Sequence, residues 1–235
     1  MSDISSTAAR CKTCSEDLEL RGQELTLEEV SQVARRRRNL TLTDDESLLE
    51  PMRKSQTLVK RAVEEGWRVY GVTTGFGSMS DVPVAGEYAA ASQANLLSFL
   101  ATGAGRPIDA THVRAAMLLR ANMLLRGVSG VRVELVERLV QFLNADAVPE
   151  VPELGSIGAS GDLVPLATIA RAITGKGAPC TVSVGGQSVD GLEALKTLGL
   201  QPLDLLPKEG LAVVNGTSFS TAIAANCVHA SRELM

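Results

Sequence analysis

Between residues 155 and 167 the chain reads GSIGASGDLVPLA, with glycines at 155, 158 and 161 around one serine, Ser160. The plainest reading is a glycine-rich loop before a helix, with Asp162 as N-cap. Such a loop can cradle phosphate, but a P-loop needs a lysine and a hydroxyl residue after its last glycine. Here Asp162 follows Gly161, and its charge repels phosphate. A serine nucleophile needs a base. GASGD is not the GxSxG elbow, and neither histidine, His112 or His229, has an evident route to Ser160. A further chemistry uses Ala159, Ser160 and Gly161 together. In a sharply bent backbone the Gly161 amide nitrogen can attack the Ala159 carbonyl carbon. Loss of water closes a five-membered ring, and loss of a second water from Ser160 leaves an exocyclic methylene. Gly161 lacks a Cβ, so its nitrogen can approach closely. Ala159 is small, Ser160 supplies the hydroxyl to eliminate, and Gly155 and Gly158 permit unusual dihedrals. The product is an electrophile that no standard side chain provides.

The elements around this segment read mostly as helices. Leu27, Val30, Val33 and Ala34 share a face before ARRRRNL. Arg35 to Arg38 then suit a helix C-terminus, where cations are favoured, better than a nucleic-acid site. Residues 44–66 repeat the pattern with Leu48, Leu49, Met52, Leu58, Val59 and Val63, closing at Gly66. WRVYGVTTGFGSMSDVPV, short and glycine-rich, is expected to be a strand fragment running into a mobile loop. Residues 87–102, 110–127 and 132–144 are helical, the last two with apolar stripes. Asp162 opens LVPLATIARAI, apolar enough for a core or a subunit contact. Residues 180–191 alternate around Gly185–Gly186 as a small hairpin, and 191–198 form a short helix. LAVVNGTSFSTAIAANCVHASRELM predicts a helix still running at Met235, so the chain is expected to be the N-terminal part of something longer. Residues 1–23 are expected to be a disordered polar tail.

Composition bounds the rest. The chain has 235 residues, 45% hydrophobic, with a formal charge of -4. That suffices for a sizeable core and gives no reason to expect nucleic acid or an anionic membrane as partner. No uninterrupted apolar run has the length of a membrane span. The N-terminus lacks the charged-then-apolar order of a secretory signal, so a cytoplasmic location is expected. Cys11 and Cys14 form a CxxC, but no second pair at zinc spacing accompanies them, and no metal is expected.

The segment GSIGASGDLVPLA resembles the one that forms 4-methylidene-imidazol-5-one (MIO) in aromatic amino acid ammonia-lyases and aminomutases. VYGVTTGFG, SQANLLSFLATGAG (92–105), VRAAMLLRANMLLR (113–126) and PKEGLAVVNGT (207–217) resemble that family in order and spacing, over about residues 25–235. The resemblance implies a mainly α fold of long helices, with a small α+β region around the MIO loop, in the fumarase/aspartase-like architecture. Residues 24–235 would be the MIO-containing N-terminal domain, running into a truncated central helical bundle. It implies a homotetramer with shared active sites, acting on a small aromatic amino acid.

By the same resemblance Ala159, Ser160 and Gly161 form the MIO, and Tyr70, as phenolate, takes the benzylic proton. A free phenol ionises near pH 10, so a base of this kind needs surroundings that favour its anion. Packing with a bonded hydroxyl is the alternative role for this tyrosine. Gly77 helps position substrate. Asn215 sits near the MIO and substrate, with a helix N-cap as its alternative role. Leu163 and Leu211 line the aromatic pocket, or serve as ordinary core leucines. The pair Phe99–Leu100 resembles the phenylalanine type, where tyrosine-preferring relatives carry His-Leu and histidine lyases Ser-His. An apolar wall gains from an unsubstituted ring and leaves a phenol hydroxyl without a partner, at about 1–3 kcal/mol. Expected, then, is a phenylalanine ammonia-lyase. A 2,3-aminomutase and an inactive truncated fragment are the alternatives. The carboxylate-binding arginine and a second tyrosine come from later in such chains and have no counterpart within 235 residues.

Overall fold

The computed structural model describes residues 17–157 and 161–235. Its first element, β1 (Leu18–Leu20), lies within the stretch whose composition predicts disorder. Leu18 and Leu20 point inward and are buried, whereas Glu19 faces out. Three residues carry too little periodicity to stand out from a polar flank. After α1 (Leu27–Ala34), β1 is met in parallel register by β2 (Leu40–Leu42). Thr26 starts α1 with a capping box: its hydroxyl accepts from the Glu29 N–H, and the Glu29 carboxylate accepts from the Thr26 N–H. The arginines after α1 enter ion pairs, Arg36 with Asp146 at 2.8 Å and Arg35 with Glu233 at 3.3 Å.

Next comes α2 (Glu46–Glu64), with Asp45 accepting from the Ser47 N–H at its start. Residues 67–88 form turns and two short 3-10 segments, Gly77–Met79 and Gly86–Tyr88. The expected strand is absent from that region; an isolated bridge between Thr74 and Pro83 takes its place. Threonine side chains satisfy backbone groups that a strand would pair: Thr73 Oγ1 accepts from Val69 N and donates to Trp67 O.

Then follow α3 (Ala89–Phe99), β3 (Ala104–Pro107), α4 (Ala110–Leu124), α5 (Val133–Asn144), β4 (Ala147–Pro149) and β5 (Pro152–Leu154). Helix α4 is the hub of the core. Val113, Ala115, Ala116, Met117, Leu118, Ala121 and Leu124 are all buried, because neighbours cover it on several sides. After the glycine-rich segment, α6 (Leu163–Thr174) is buried from Val164 to Thr174, as its apolar composition requires. It ends at Gly175 in the left-handed region (φ 67°). β6 (Thr181–Val184) and β7 (Gln187–Asp190) form the expected hairpin, with β4 antiparallel to β6.

The chain closes with α7 (Gly191–Thr197), α8 (Glu209–Val214) and α9 (Ser218–Glu233). The last helical region is not continuous: Asn215–Thr217 break it, and α9 ends at Glu233 instead of running to Met235. The stretch Glu209–Glu233 is long and apolar enough to cross a membrane by length and composition. Here, however, α8 packs against α6 and α3, and α9 against α4 and α1, as core helices do.

Fully buried Glu209, at the start of α8, receives four donors. Arg132 gives Nε (3.0 Å), Nη2 (3.0 Å) and its backbone N–H (3.2 Å), and Leu206 gives its N–H (2.8 Å). Glu209→Ala strands these donors and is expected to cost about 3 kcal/mol. A lowered urea midpoint at unchanged slope checks this, and an unmoved midpoint contradicts it.

Candidate active site

The Tyr70 side chain stands on the 67–88 segment, about half exposed at 51%. Its ring meets Phe76 edge-on at a centroid distance of 6.4 Å. The backbone N–H of Gly77 donates to the Tyr70 hydroxyl oxygen at 3.0 Å. A donor aimed at that oxygen stabilises it when it carries negative charge, which is what a phenolate base requires. Gly77, expected by resemblance to help position substrate, thus directs its N–H at the tyrosine. The tyrosine's backbone is held as well. Gly71 N donates to Thr74 Oγ1 at 3.1 Å, and Gly75 N donates to Val82 O at 3.0 Å.

The glycine-rich segment is framed at both ends. β3 and β5 pair antiparallel, Ala104 opposite Leu154 and Pro107 opposite Pro152, with a register irregularity between. This pairing brings Gly103, just beyond the Phe99–Leu100 end of α3, beside Gly155 at the start of the segment. Gly155 (φ 140°) lies in the contact: a Cβ there would come within 3.0 Å of Gly103 Cα and 2.9 Å of Val164 Cγ1. At the other end Gly161 is left-handed (φ 73°), and the Ser156 hydroxyl donates to its carbonyl oxygen. Residues 156 and 161 are thereby drawn together. Ala159 and Ser160 lie outside the described residues.

Asp162 occupies the N-cap position of α6 but makes no cap bond there. Only 2% exposed, its carboxylate instead accepts from Phe219 N at 2.7 Å and Ser220 N at 3.1 Å, in the first turn of α9. It caps a helix distant in sequence, because the break at Asn215–Thr217 presents free N–H groups to it. Beneath that break lies Arg120, also 2% exposed. Nη1 reaches Ala212 O at 3.5 Å, whereas Nε and Nη2 have no hydrogen-bond partner among the described residues. Burial pushes its guanidinium down to about 10, against the attraction of Asp162. Gly216 is glycine for a steric reason: a Cβ would overlap Arg120 Nη2.

Asn215 ends α8 with extended backbone (ψ 99°), and its side chain is exposed and makes no hydrogen bond among the described residues. The N-cap position of α9 belongs to Thr217, which makes no side-chain cap bond. Leu211 is buried and packs on Gly71, its Cδ2 only 2.8 Å from where a Cβ would stand. Leu163 and Leu100 are half-buried against the core, whereas Phe99 is 72% exposed. Tyr70, Gly77 and Leu211 thus fall in one neighbourhood. Phe99 and Leu100 join the glycine-rich segment through the β3–β5 pairing. Tyr70, Phe99 and Asn215 all open to the surface, and no hydrogen bond links them to one another among the described residues. Sequence reasoning missed Arg120, the distant capping by Asp162, and fully buried Gln93, whose amide joins Gly71 to Leu211. Arg120 left a signal, a charge at an apolar-stripe position; Gln93 left none.

With this geometry in place, comparison with known proteins is informative. A profile of the family described as aromatic amino acid lyase matches residues 25–235. A phenylalanine ammonia-lyase of Nostoc punctiforme is 49% identical over 213 residues, 91% of this chain and 37% of that protein. A histidine ammonia-lyase of Symbiobacterium thermophilum is 46% identical over 214 residues, 91% of this chain and 41% of that protein. Among solved structures, the phenylalanine aminomutase of Pantoea agglomerans superposes with a TM-score of 0.79 at 33% identity, covering 90% of this chain and 39% of that one. The chain therefore spans about two fifths of the length of the relatives it matches.

Proposed function

This chain belongs to the aromatic amino acid lyase family, and from that premise we propose that it is the N-terminal part of a phenylalanine ammonia-lyase, converting L-phenylalanine to trans-cinnamate and ammonia. Its fold is the mainly helical one of the fumarase/aspartase-like class, and the family's members are ammonia-lyases and aminomutases. The observation that carries the choice of substrate is the placement of Phe99–Leu100. The β3–β5 ribbon ties the chain just after α3 to the strand that leads into the glycine-rich segment, which supports a role for Phe99–Leu100 in meeting a substrate ring. Phenylalanine and leucine there offer an apolar wall without a hydrogen-bond partner for a phenol or an imidazole.

The residues fit the MIO group. Gly161 is left-handed, a hydrogen bond joins Ser156 to Gly161, and the Asp162 carboxylate is anchored on the first turn of α9. The group, formed from Ala159, Ser160 and Gly161, would supply an electrophile that bonds the substrate amine and turns it into a leaving group. This chain's side chains do the rest. Tyr70 removes the benzylic proton, with the Gly77 N–H on its oxygen offsetting the charge that it carries. Asn215, whose amide makes no hydrogen bond among the described residues, donates to the substrate carboxylate or to the ring oxygen. Leu163, Leu211 and Leu100 bound the aromatic part. The open face around Tyr70, Phe99 and Asn215 fits a homotetramer whose active sites are completed by later residues and by other subunits.

Phe99→His, made in the full-length protein, tests the substrate assignment. An imidazole at this place gives a phenol hydroxyl a partner, so the ratio of kcat/KM for tyrosine over phenylalanine is expected to rise at least about tenfold, the yield of one well-placed hydrogen bond. An unchanged ratio removes Phe99 from the specificity wall. A 2,3-aminomutase is the nearest rival, favoured by the likeness to the Pantoea enzyme. Product analysis separates the two: β-phenylalanine in place of cinnamate establishes the rival.

A further inference from the structure

Gln93 lies in the middle of α3 and is fully buried, 0% exposed. Its side-chain amide uses both ends across two other elements. Nε2 donates to the Gly71 carbonyl at 2.9 Å, and Oε1 accepts from the Leu211 N–H at 3.0 Å. Longer contacts of Nε2 to Ala89 O (3.4 Å) and Ser92 Oγ (3.3 Å) stay within α3. The Leu211 N–H belongs to the first turn of α8, where the helix supplies no acceptor, so Oε1 fills an orphan position. The Gly71 peptide is engaged from both sides, its N–H by Thr74 and its carbonyl by Gln93. At the same place α8 runs directly against α3: a Cβ on Gly210 would lie 2.8 Å from the Gln93 carbonyl oxygen.

These contacts converge on one consequence. Gly71 follows Tyr70, α8 carries Leu211 and ends at Asn215, and α3 ends at Phe99–Leu100. One buried amide therefore sets the spacing between the tyrosine segment, the α8 wall and the specificity helix. We propose that Gln93 is a positioning residue for the reaction, fixing the backbone of Tyr70 against α8 through the Gly71 carbonyl. A merely space-filling residue at this site needs no donor directed at Gly71. The proposal rests on the assignment of Tyr70 as the base.

The test uses the full-length protein and two variants near in shape, Gln93→Met and Gln93→Glu, with Tyr70→Phe in parallel. Rates are expressed per folded chain that has lost two waters by intact mass, so an unfolded or unconverted fraction does not enter. Gln93→Met makes neither bond; its kcat for L-phenylalanine is expected to fall about 10- to 100-fold, the effect of a misplacement near 1 Å, with KM changed less than about threefold. Gln93→Glu accepts from Leu211 N in either state but donates to Gly71 O only when protonated, and burial raises the carboxyl pKa. Its kcat relative to the parent is therefore expected to rise as pH is lowered, while the ratio for Gln93→Met stays flat. Helix α3 itself carries no ionisable residue. The ionisable groups on or beside the elements packed against it are Tyr70, Glu87, Tyr88, Asp162, Arg171, Lys208 and Glu209, and both variants share them. Parental kcat in Gln93→Met overturns the proposal. Should that variant not fold, a pH-independent ratio in Gln93→Glu does so by itself. If Tyr70→Phe keeps the parental rate, the assignment of the base has failed; if Tyr70→Phe is inactive and both Gln93 variants behave as the parent, only this inference has.

Discussion

Ser160→Ala, placed in the full-length protein, is expected to give a chain that loses no water on maturation and a kcat for L-phenylalanine lower by at least about a thousandfold, or about 4 kcal/mol of barrier. The parent is expected to weigh two waters less than its sequence. In the proposed cyclisation the hydroxyl of Ser160 is the group eliminated, and alanine has nothing to lose there. Among the described residues, the contacts that frame the segment are made by Gly155, Ser156, Gly161 and Asp162. Gly161 is held by Ser156, Asp162 by the first turn of α9, and Gly155 by Gly103 and Val164. The variant should therefore fold as the parent does, and its melting temperature checks that the loss is chemical. Parental turnover from a Ser160→Ala chain of unreduced mass ends the assignment of Ala159–Ser160–Gly161. An unmodified mass in the parent likewise ends that assignment.

Tyr70→Phe is expected to lower kcat about 100- to 10,000-fold, the range for removing a positioned acid–base group, with KM little changed and the two-water loss retained. The ring keeps its edge-on contact with Phe76, and the bond that disappears is the one from Gly77 N–H. That N–H sits on an exposed turn where water can replace the tyrosine, so stability should change by less than about 1 kcal/mol. A variant as stable as the parent, mature by mass and catalytically dead fits the base. A variant that unfolds or fails to mature assigns Tyr70 to packing, and one with full activity removes it from the mechanism.

Much of this architecture is legible in the sequence, and the residues show why. Helices α4, α5 and α6 carry long apolar patterns, and their cores lie where those patterns put them. Gly185–Gly186 marks its hairpin because both residues are left-handed, with φ of 58° and 84°. β1 is not legible, since three residues whose partners lie 22 positions downstream have no local signature. Residues 67–84 misled in the other direction. Their β-branched residues suggest a strand, but Thr73 and Thr74 spend their side chains on backbone groups of a turn. Within the site, Tyr70 and Gly77 stood out through their motif, while their mutual bond could not be foreseen. Asp162 beside Gly161 looked like a cap for the next helix and turned out to serve a later one. Gln93 is a residue type without chemistry of its own, and its importance exists only once three elements have met.

The ribbon made by β1 and β2 bears on where this folding unit can be trimmed. Similarity to the family begins at residue 25, yet Leu18 and Leu20 already lie in the core and pair with Leu40 and Leu42. A protein expressed from the family boundary would leave an uncovered trough and an unmatched backbone edge along 40–42. Such an edge invites a second copy to add its own strand. Turbid or self-associating preparations of the shortened polypeptide would then report a missing ribbon, not a defect in the chemistry downstream.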